Sequence, residues 1–268
     1  MCYFCGYYSN LGGYTLKVTF LGTGTSQGVP IIACSCPVCQ SDDLHDKRLR
    51  SSVLVEVDGV RILIDAGPDF RQQMLRERVK DLDAILLTHE HKDHVGGLDD
   101  VRAFNYVLNR PMDIYALERV LGHLKVEFSY VFSEKPYPGV PQMALHPIGP
   151  EPFMVKDVEV TPISVRHFRL PVSAYRIKDF TYITDANYIS EEEKQKLSGT
   201  RVLVVNALRR EDHISHFTLT QALELVDEVK PEVAYLTHIS HQMGKYADVQ
   251  RELPENVCLA YDGLTLRL

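Results

Sequence analysis

The chain has 268 residues, enough for one large domain or two small ones with a substantial core. It carries 29 Lys and Arg against 36 Asp and Glu, a formal net charge of −7. This net negative charge argues against binding of extended nucleic acid that depends mainly on electrostatic attraction. The apolar runs end far below the ~20 residues that cross a bilayer, and the first residues lack the basic and aliphatic regions of a signal peptide. These features exclude a membrane span and predict a cytoplasmic protein.

The hydrophobic pattern predicts short strands separated by a few helices, which is typical of an α/β domain. Alternating or continuous apolar segments predict strands over 15–21, 52–57, 60–64, 83–88, 113–116, 158–165, 172–178, 180–184, 201–207 and 233–237. Helical periodicity predicts helices over 69–78, 97–109, 117–127 and 218–229, with another that starts after Ser190.

Turn residues predict how these elements connect. Asp58-Gly59 lies between two strands and favours a hairpin, because both residues tolerate the positive φ of a type I′ turn. The proline-rich stretch 136–152 is predicted to be a surface loop, and 257–268 a closing hairpin that turns at Asp262-Gly263. Since no linker or long repeat is visible, we expect a leader over 1–14 and one domain over 15–268.

The strongest chemical signal is an H-x-H-x-D-H array directly after the strand 83–88. Alternate residues leaving a strand place His89 and His91 on one side, and the following turn can present Asp93 and His94 to a second centre. A solvated loop would explain any one of these histidines, but it is a poor explanation for the whole pattern. Imidazole and carboxylate ligands at this density predict a site for zinc, manganese or iron.

The cysteines form a second pattern. Cys34, Cys36 and Cys39 make a C-x-C-x-x-C cluster, which in a reducing compartment indicates a metal rather than disulfides, with free buried thiols as the alternative. Cys2 and Cys5 make a C-x-x-C without further ligands nearby, and we expect this pair to be functionally silent.

The H-x-H-x-D-H array after a buried strand resembles the signature of the metallo-β-lactamase superfamily, and the likeness extends over residues 15–268. The resemblance implies an α/β fold of the αββα four-layer sandwich type. It also implies two catalytic metals with Asp185 as their bridge and Asp65 as a support behind the ligands. One metal would be held by His89, His91 and His167, and the other by Asp93, His94 and His238.

A narrower resemblance, to the PhnP-type phosphodiesterases of the tRNase Z-like branch, rests on further motifs. These are Leu21-Gly22-Thr23-Gly24-Thr25-Ser26-Gln27-Gly28-Val29-Pro30 before the cysteines, Ile64-Asp65-Ala66-Gly67-Pro68-Asp69-Phe70-Arg71, His213-x-x-His216-Phe217-Thr218-Leu219, and Thr237-His238-Ile239-Ser240-His241. The resemblance implies a structural zinc on Cys34, Cys36, Cys39 and His241. Three thiolates and one imidazole are a usual closed zinc set.

The resemblance further implies a dinuclear phosphodiesterase that cleaves small phosphodiesters, with cyclic ribose or nucleotide phosphates expected, by attack of a metal-bridging hydroxide. His216 matches the general-acid histidine of the H-F-T-L motif, His213 and His216 are the expected substrate contacts, and Asp93 joins the catalytic set as a ligand. The alternatives are a tRNase Z-like RNA 3′-processing endonuclease, a thioester or lactone hydrolase, and a non-catalytic metal-binding or nucleic-acid-binding module. A homodimer is expected from the family.

Overall fold

The computed structural model describes residues 16–268, which form two β-sheets packed face to face with helices on both outer faces. The αββα four-layer sandwich expected from the sequence is therefore confirmed. The leader predicted over 1–14, with Cys2 and Cys5, lies outside the described residues.

Strands are spread over the whole of this range, with short helices between them. The strands are β1 (Leu16–Gly22), β2 (Ser52–Val57), β3 (Val60–Ile64), β4 (Ala84–Leu86), β5 (Met112–Leu117), β6 (Met143–Ile148), β7 (Phe153–Val155), β8 (Val158–His167), β9 (Leu170–Ile177), β10 (Phe180–Ile183), β11 (Tyr188–Ile189), β12 (Val202–Asn206), β13 (Val233–Thr237), β14 (Val257–Leu259) and β15 (Thr265–Arg267). The helices are α1 (Phe70–Arg76), α2 (Lys92–Val95), α3 (Arg102–Leu108), α4 (Glu118–Glu127), α5 (Glu191–Gln195), α6 (Leu219–Val229) and α7 (Tyr246–Glu252).

The order of the strands brings several strand ends to one edge of the sandwich. The first sheet runs β15-β1-β2-β3-β4-β5-β6, and the second runs β11-β8-β9-β10-β12-β13-β14 with β7 paired to β8. β3 and β4 are parallel in the first sheet, and β10, β12 and β13 are parallel in the second. Because the carboxyl ends of parallel strands share an edge, the turns after these strands can build one site.

Three apolar layers hold this arrangement together. Phe20, Tyr175 and Tyr235 belong to the core between the sheets. Residues of α1, α3 and α4 cover the outer face of the first sheet, and residues of α6 and α7 cover that of the second. Over residues 16–268, no helix combines the length and apolarity needed to span a bilayer.

Local signals explain where several elements begin and end. Asp58 and Gly59 both have positive φ in the β2–β3 turn, as their sequence predicted. Thr218 and Gln221 form a capping box at the start of α6, so the first turn of this helix has its amide donors satisfied. The N-terminus of α6 is thereby fixed two residues after His216.

Two predictions about connections were wrong. The stretch 136–152 is not all loop, because β6 lies within it and pairs in parallel with β5. β6 is an edge strand. Pro147 has no amide hydrogen to donate, but at a sheet edge it does not interrupt the hydrogen bonds between central strands.

The closing hairpin predicted over 257–268 is also absent, since β14 pairs with β13 and β15 with β1 in the other sheet. Asp262 accepts hydrogen bonds from the backbone amides of Thr23 at 3.0 Å and Leu49 at 2.8 Å. These contacts anchor the chain at the point where it passes from one sheet to the other.

Candidate active site

The predicted metal-binding residues lie together at the edge where the strands end. His89 follows β4, His167 ends β8, Asp185 follows β10 and His238 follows β13. Asp185 and His238 have φ values of 52° and 56°, a left-handed conformation that is uncommon outside glycine. Such backbone strain is typical of functional sites, where the surrounding structure enforces it.

One group of potential ligands consists of three histidines, called the three-histidine set below. Their ligand atoms lie within 4.8 Å of one another, and the set contains His89, His91 and His167. Nε2 of His89 is 2.9 Å from Nδ1 of His91. Nδ1 of His167 donates to the carbonyl oxygen of Ser215 at 2.8 Å, which leaves its Nε2 for the set.

A second group, the four-ligand set, is more deeply buried. Its atoms also lie within 4.8 Å of one another, and it contains Asp93, His94, Asp185 and His238. Nε2 of His94 is 3.1 Å from Oδ2 of Asp93 and 3.3 Å from Oδ1 of Asp185. Oδ1 of Asp185 is also 3.2 Å from Nδ1 of His238.

Asp185 lies between the two sets. Its Oδ1 faces His94 and His238, and its Oδ2 is 3.9 Å from Nε2 of His89. This is the position that the family resemblance implies for a carboxylate shared by two metals.

The electrostatics of the four-ligand set fit a divalent cation. Burial alone would lower the pKa of His94, but the carboxylates of Asp93, Asp185 and Asp65 raise it well above its ordinary value. Burial opposes ionisation of Asp185, but His238 and His94 hold the pKa of its carboxyl well below the usual range. Nε2 of His94 is buried without a hydrogen-bond partner of good geometry. Buried carboxylates and imidazoles with an orphaned ring nitrogen suit zinc, manganese or iron.

Asp65, the predicted support, is fully buried behind His94. Its Oδ2 accepts from Nδ1 of His94 at 2.6 Å, and its Oδ1 accepts from the backbone amide of Thr88 at 2.9 Å. The carboxylate therefore orients the ring of His94 so that Nε2 faces the other ligands, as carboxylate partners do in metal sites.

Sequence reasoning missed the polar side chains that hold His238. Oγ of Ser51 lies 3.2 Å from Nδ1 of His238, and Oγ1 of Thr25 lies 3.4 Å from Nε2. Asn206, which ends β12, exchanges two hydrogen bonds with the backbone of Ala186 and so fixes the turn after Asp185. All three residues are distant from His238 or Asp185 in sequence, and Ser51 and Asn206 lie outside the motifs. Thr25 lies within the motif before the cysteines, but only the fold reveals its contact with His238.

His216 lies beside both sets. Its ring centroid is 4.5 Å from that of His167 and 4.8 Å from that of His238, and its Nδ1 is 4.0 Å from Oδ2 of Asp185. Nδ1 is buried without a hydrogen-bond partner, and burial lowers the pKa of His216 to about 2. A neutral ring here can accept a proton, or it can act as a further ligand together with His167 and Asp185.

His213 stands at the outer side of this cluster. Its ring centroid is 5.1 Å from that of His216, and its Nδ1 accepts from the backbone amide of Ser215 at 3.3 Å. Burial and the charge of Arg209 lower the pKa of His213. The contact of His213 with substrate stays a prediction.

The cysteine cluster and His241 form a separate site. Nδ1 of His241 is 3.3 Å from Sγ of both Cys34 and Cys36 and 3.6 Å from Sγ of Cys39. Bond lengths of ~2.3 Å for Zn–S and ~2.0–2.1 Å for Zn–N place tetrahedral ligand atoms about 3.6 Å apart, so the set fits zinc. The backbone amide of Cys39 lowers the pKa of Cys36 to about 6, which favours a thiolate ligand.

Comparison with known proteins agrees with this fold and site. The family model for the beta-lactamase superfamily domain matches residues 60–239, so the chain belongs to that superfamily and has its metallo-β-lactamase fold. A crystal structure described as a new diphosphatase from the PhnP family is 38% identical, with a TM-score of 0.89 over 94% of this chain and 98% of that one. Within the superfamily, the chain belongs to the PhnP family.

Of two other relatives, one is much longer than this chain and one is less similar in sequence. An octanoyltransferase of Porphyromonas gingivalis is 43% identical over 93% of this chain, but this chain spans only 51% of that protein. Zn²⁺-bound PqqB from Methylobacterium extorquens shares the fold at 21% identity and a TM-score of 0.78, over 94% of this chain and 100% of that one.

Proposed function

We propose that the protein is a dinuclear metal-dependent phosphodiesterase that hydrolyses small phosphodiesters, with cyclic ribose or nucleotide phosphates as the expected substrates. The observation that carries this proposal is the pair of ligand sets with Asp185 between them and His216 beside them. Two divalent metals held by such sets would supply a water that is deprotonated at neutral pH and would neutralise the charge of a phosphodiester. This combination suits hydrolysis of a phosphate ester.

The chain's own residues then have to supply one proton to the leaving group. Because the attacking water would already be deprotonated at the metals, the remaining step is delivery of one proton to the leaving alkoxide. We infer that His216, neutral before substrate arrives and with an unpartnered Nδ1, takes up a proton when the substrate binds and delivers it to the alkoxide. A bound phosphodiester anion favours the protonated ring, because an opposite charge raises the pKa of a histidine. His213, at the outer side, would orient the substrate.

A diphosphatase is the second candidate, and it is favoured by the 38% identity to the PhnP-family diphosphatase. The leaving group of a diphosphate is a phosphate, which departs without a strong need for a general acid. Cleavage of a diphosphate bond would therefore depend less on His216 than cleavage of an alkyl ester would.

The test is the initial rate of metal-stripped protein resupplied with manganese or zinc. The substrates are bis-p-nitrophenyl phosphate, a nucleoside cyclic phosphate, a dinucleoside diphosphate, a tRNA precursor and an octanoyl thioester. The thioester is included because of the name of the Porphyromonas relative. We expect metal-restored cleavage of the diesters. Turnover of the diphosphate alone would favour the second candidate, and turnover of the tRNA precursor or the thioester alone would refute a small-phosphodiester activity.

A further inference from the structure

Arg119, in the first turn of α4, contacts both segments that carry the three-histidine set. One guanidinium nitrogen, Nη1, donates to Oε1 of Glu90, and Nη2 donates to the carbonyl oxygen of Pro171 at 3.0 Å. Glu90 lies between His89 and His91 in the chain. A single planar fork thus joins the loop after β4 to strand β9.

The contact at Pro171 reaches the third histidine through the sheet. In the β8–β9 hairpin, Pro171 pairs with Arg166 and Leu170 pairs with His167. The position of Pro171 therefore fixes the end of β8 that carries His167. The amide of Ser173 also joins β9 to the loop after β4, by donating to the carbonyl oxygen of Thr88 at 3.0 Å, but Arg119 is the side chain that joins β9 to Glu90, between the two histidines of the loop.

His91 needs this support most. His89 has a contact from Oγ1 of Thr88 at 3.0 Å, and His167 is held by Ser215. His91 is exposed, and within residues 16–268 its ring makes its hydrogen bond with His89, a fellow ligand. The place of His91 thus depends on its backbone, next to Glu90. The Glu90 side chain is only 16% exposed, and its Oε2 has no hydrogen-bond partner, so loss of Arg119 would leave a largely buried carboxylate unpaired.

The four-ligand set has its own supports. Asp65 holds His94, and Ser51 holds His238. Neither contact involves α4, so a change at Arg119 should affect the three-histidine set selectively.

We propose that Arg119 is a positioning residue that fixes the three-histidine set and so determines the affinity of one of the two catalytic metals. The proposal depends on the ligand sets and not on which phosphate ester is cleaved. It is tested by competition with a chromophoric zinc chelator, which resolves the bound equivalents by affinity. Arg119→Ala should weaken one equivalent by about 10- to 100-fold, the usual cost of losing such a support. The other equivalents should be unchanged.

Matched variants make the test selective. Arg119→Lys keeps the positive charge but loses the planar guanidinium group that reaches both Glu90 and Pro171. It should therefore weaken binding of the same metal equivalent, but by less than Arg119→Ala does. Lys92→Ala is the control, because Lys92 also joins this loop to α4, through Glu127, but is 73% exposed. It should bind all equivalents as the unaltered chain does. In a His167→Ala background, Arg119→Ala should cause no further loss.

Three results would overturn the proposal. They are wild-type affinity of every equivalent in Arg119→Ala, equal weakening of all equivalents, and a full additional loss in the His167→Ala background. If Arg119→Ala fails to fold, Arg119→Lys decides by the same criteria. A chain that binds both catalytic metals but cleaves no phosphate ester would refute the proposed function and leave the role of Arg119 standing.

Discussion

Oδ2 of Asp65 lies 2.6 Å from Nδ1 of His94, and both side chains are fully buried. Asp65 directly follows β3, and His94 lies in α2, the first helix after β4, so the parallel pairing of β3 with β4 helps to bring the support to the ligand. This contact decides which ring nitrogen of His94 faces the four-ligand set.

Asp65→Asn should therefore weaken metal binding at the four-ligand set by about 10- to 100-fold, because the amide cannot reproduce the charged partner of His94. Chelator competition measures the effect. Asp113→Asn is the matched control, since Asp113 lies 2.7 Å from His146 in an exposed pair away from the site. Equal affinities of Asp65→Asn and the unaltered chain would contradict the assigned support.

His216→Ala should lower kcat by about 100-fold or more for alkyl phosphodiesters, the range typical of a lost general acid. The loss should be much smaller with p-nitrophenolate, because this leaving group departs without a proton. The measurement is kcat for a series of leaving groups. Equal losses across the series would remove the proton-transfer role, and loss of a bound metal would instead make His216 a ligand.

Cys36→Ser should remove one zinc equivalent and lower Tm by about 5 °C or more, since 1 kcal/mol shifts Tm by about 2–4 °C in a domain of this size. His241 follows His238 by three residues, so the zinc would tie the cysteine loop to the end of β13. Calorimetry and metal analysis check both effects. Ser35→Ala, an exposed change in the same loop, is the control. A stable Cys36→Ser protein with full zinc content would count against the site.

The metal-free protein should lose stability as the pH falls from 7 to 5. Burial lowers the pKa of five site histidines, His89, His91, His213, His216 and His238. In the unfolded chain these rings bind protons below ~6.5, so the unfolded state takes up more protons and stability falls by about 1.4 kcal/mol per pH unit for each proton in excess.

His94 acts in the opposite sense, because its pKa is raised. Its stabilisation is present below ~6.5 and is lost as the pH rises through the raised value, but one histidine does not outweigh the five with lowered pKa values. Urea unfolding of the metal-free protein at several pH values measures the slope. His216→Gln should reduce the slope, and His123→Gln, at an exposed position, should leave it unchanged. A stability that rises on acidification would refute the prediction.

The sequence revealed most of the candidate site because its residues follow chemical spacing. The H-x-H-x-D-H array places four ligands on one turn of chain, and the cysteine cluster places three more on another. His167, Asp185 and His238 could be predicted only through the family resemblance, since a single polar residue after a strand carries little signal. The structure gathers all of them because the strands before them end at one edge.

Local patterns also determined most elements of the fold, since a strand, a helix cap or a type I′ turn depends on near neighbours in the chain. Pairing between distant strands was decided by tertiary structure alone. The sequence pattern did not predict β6, because its proline is tolerated only at a sheet edge. β14 and β15 lie in different sheets because Asp262, between them, accepts hydrogen bonds from the β1–β2 connection. The supports from Ser51 and Arg119 were likewise decided by tertiary structure. Their hydrogen bonds join residues far apart in sequence, so the spacing of residues along the chain does not predict these bonds.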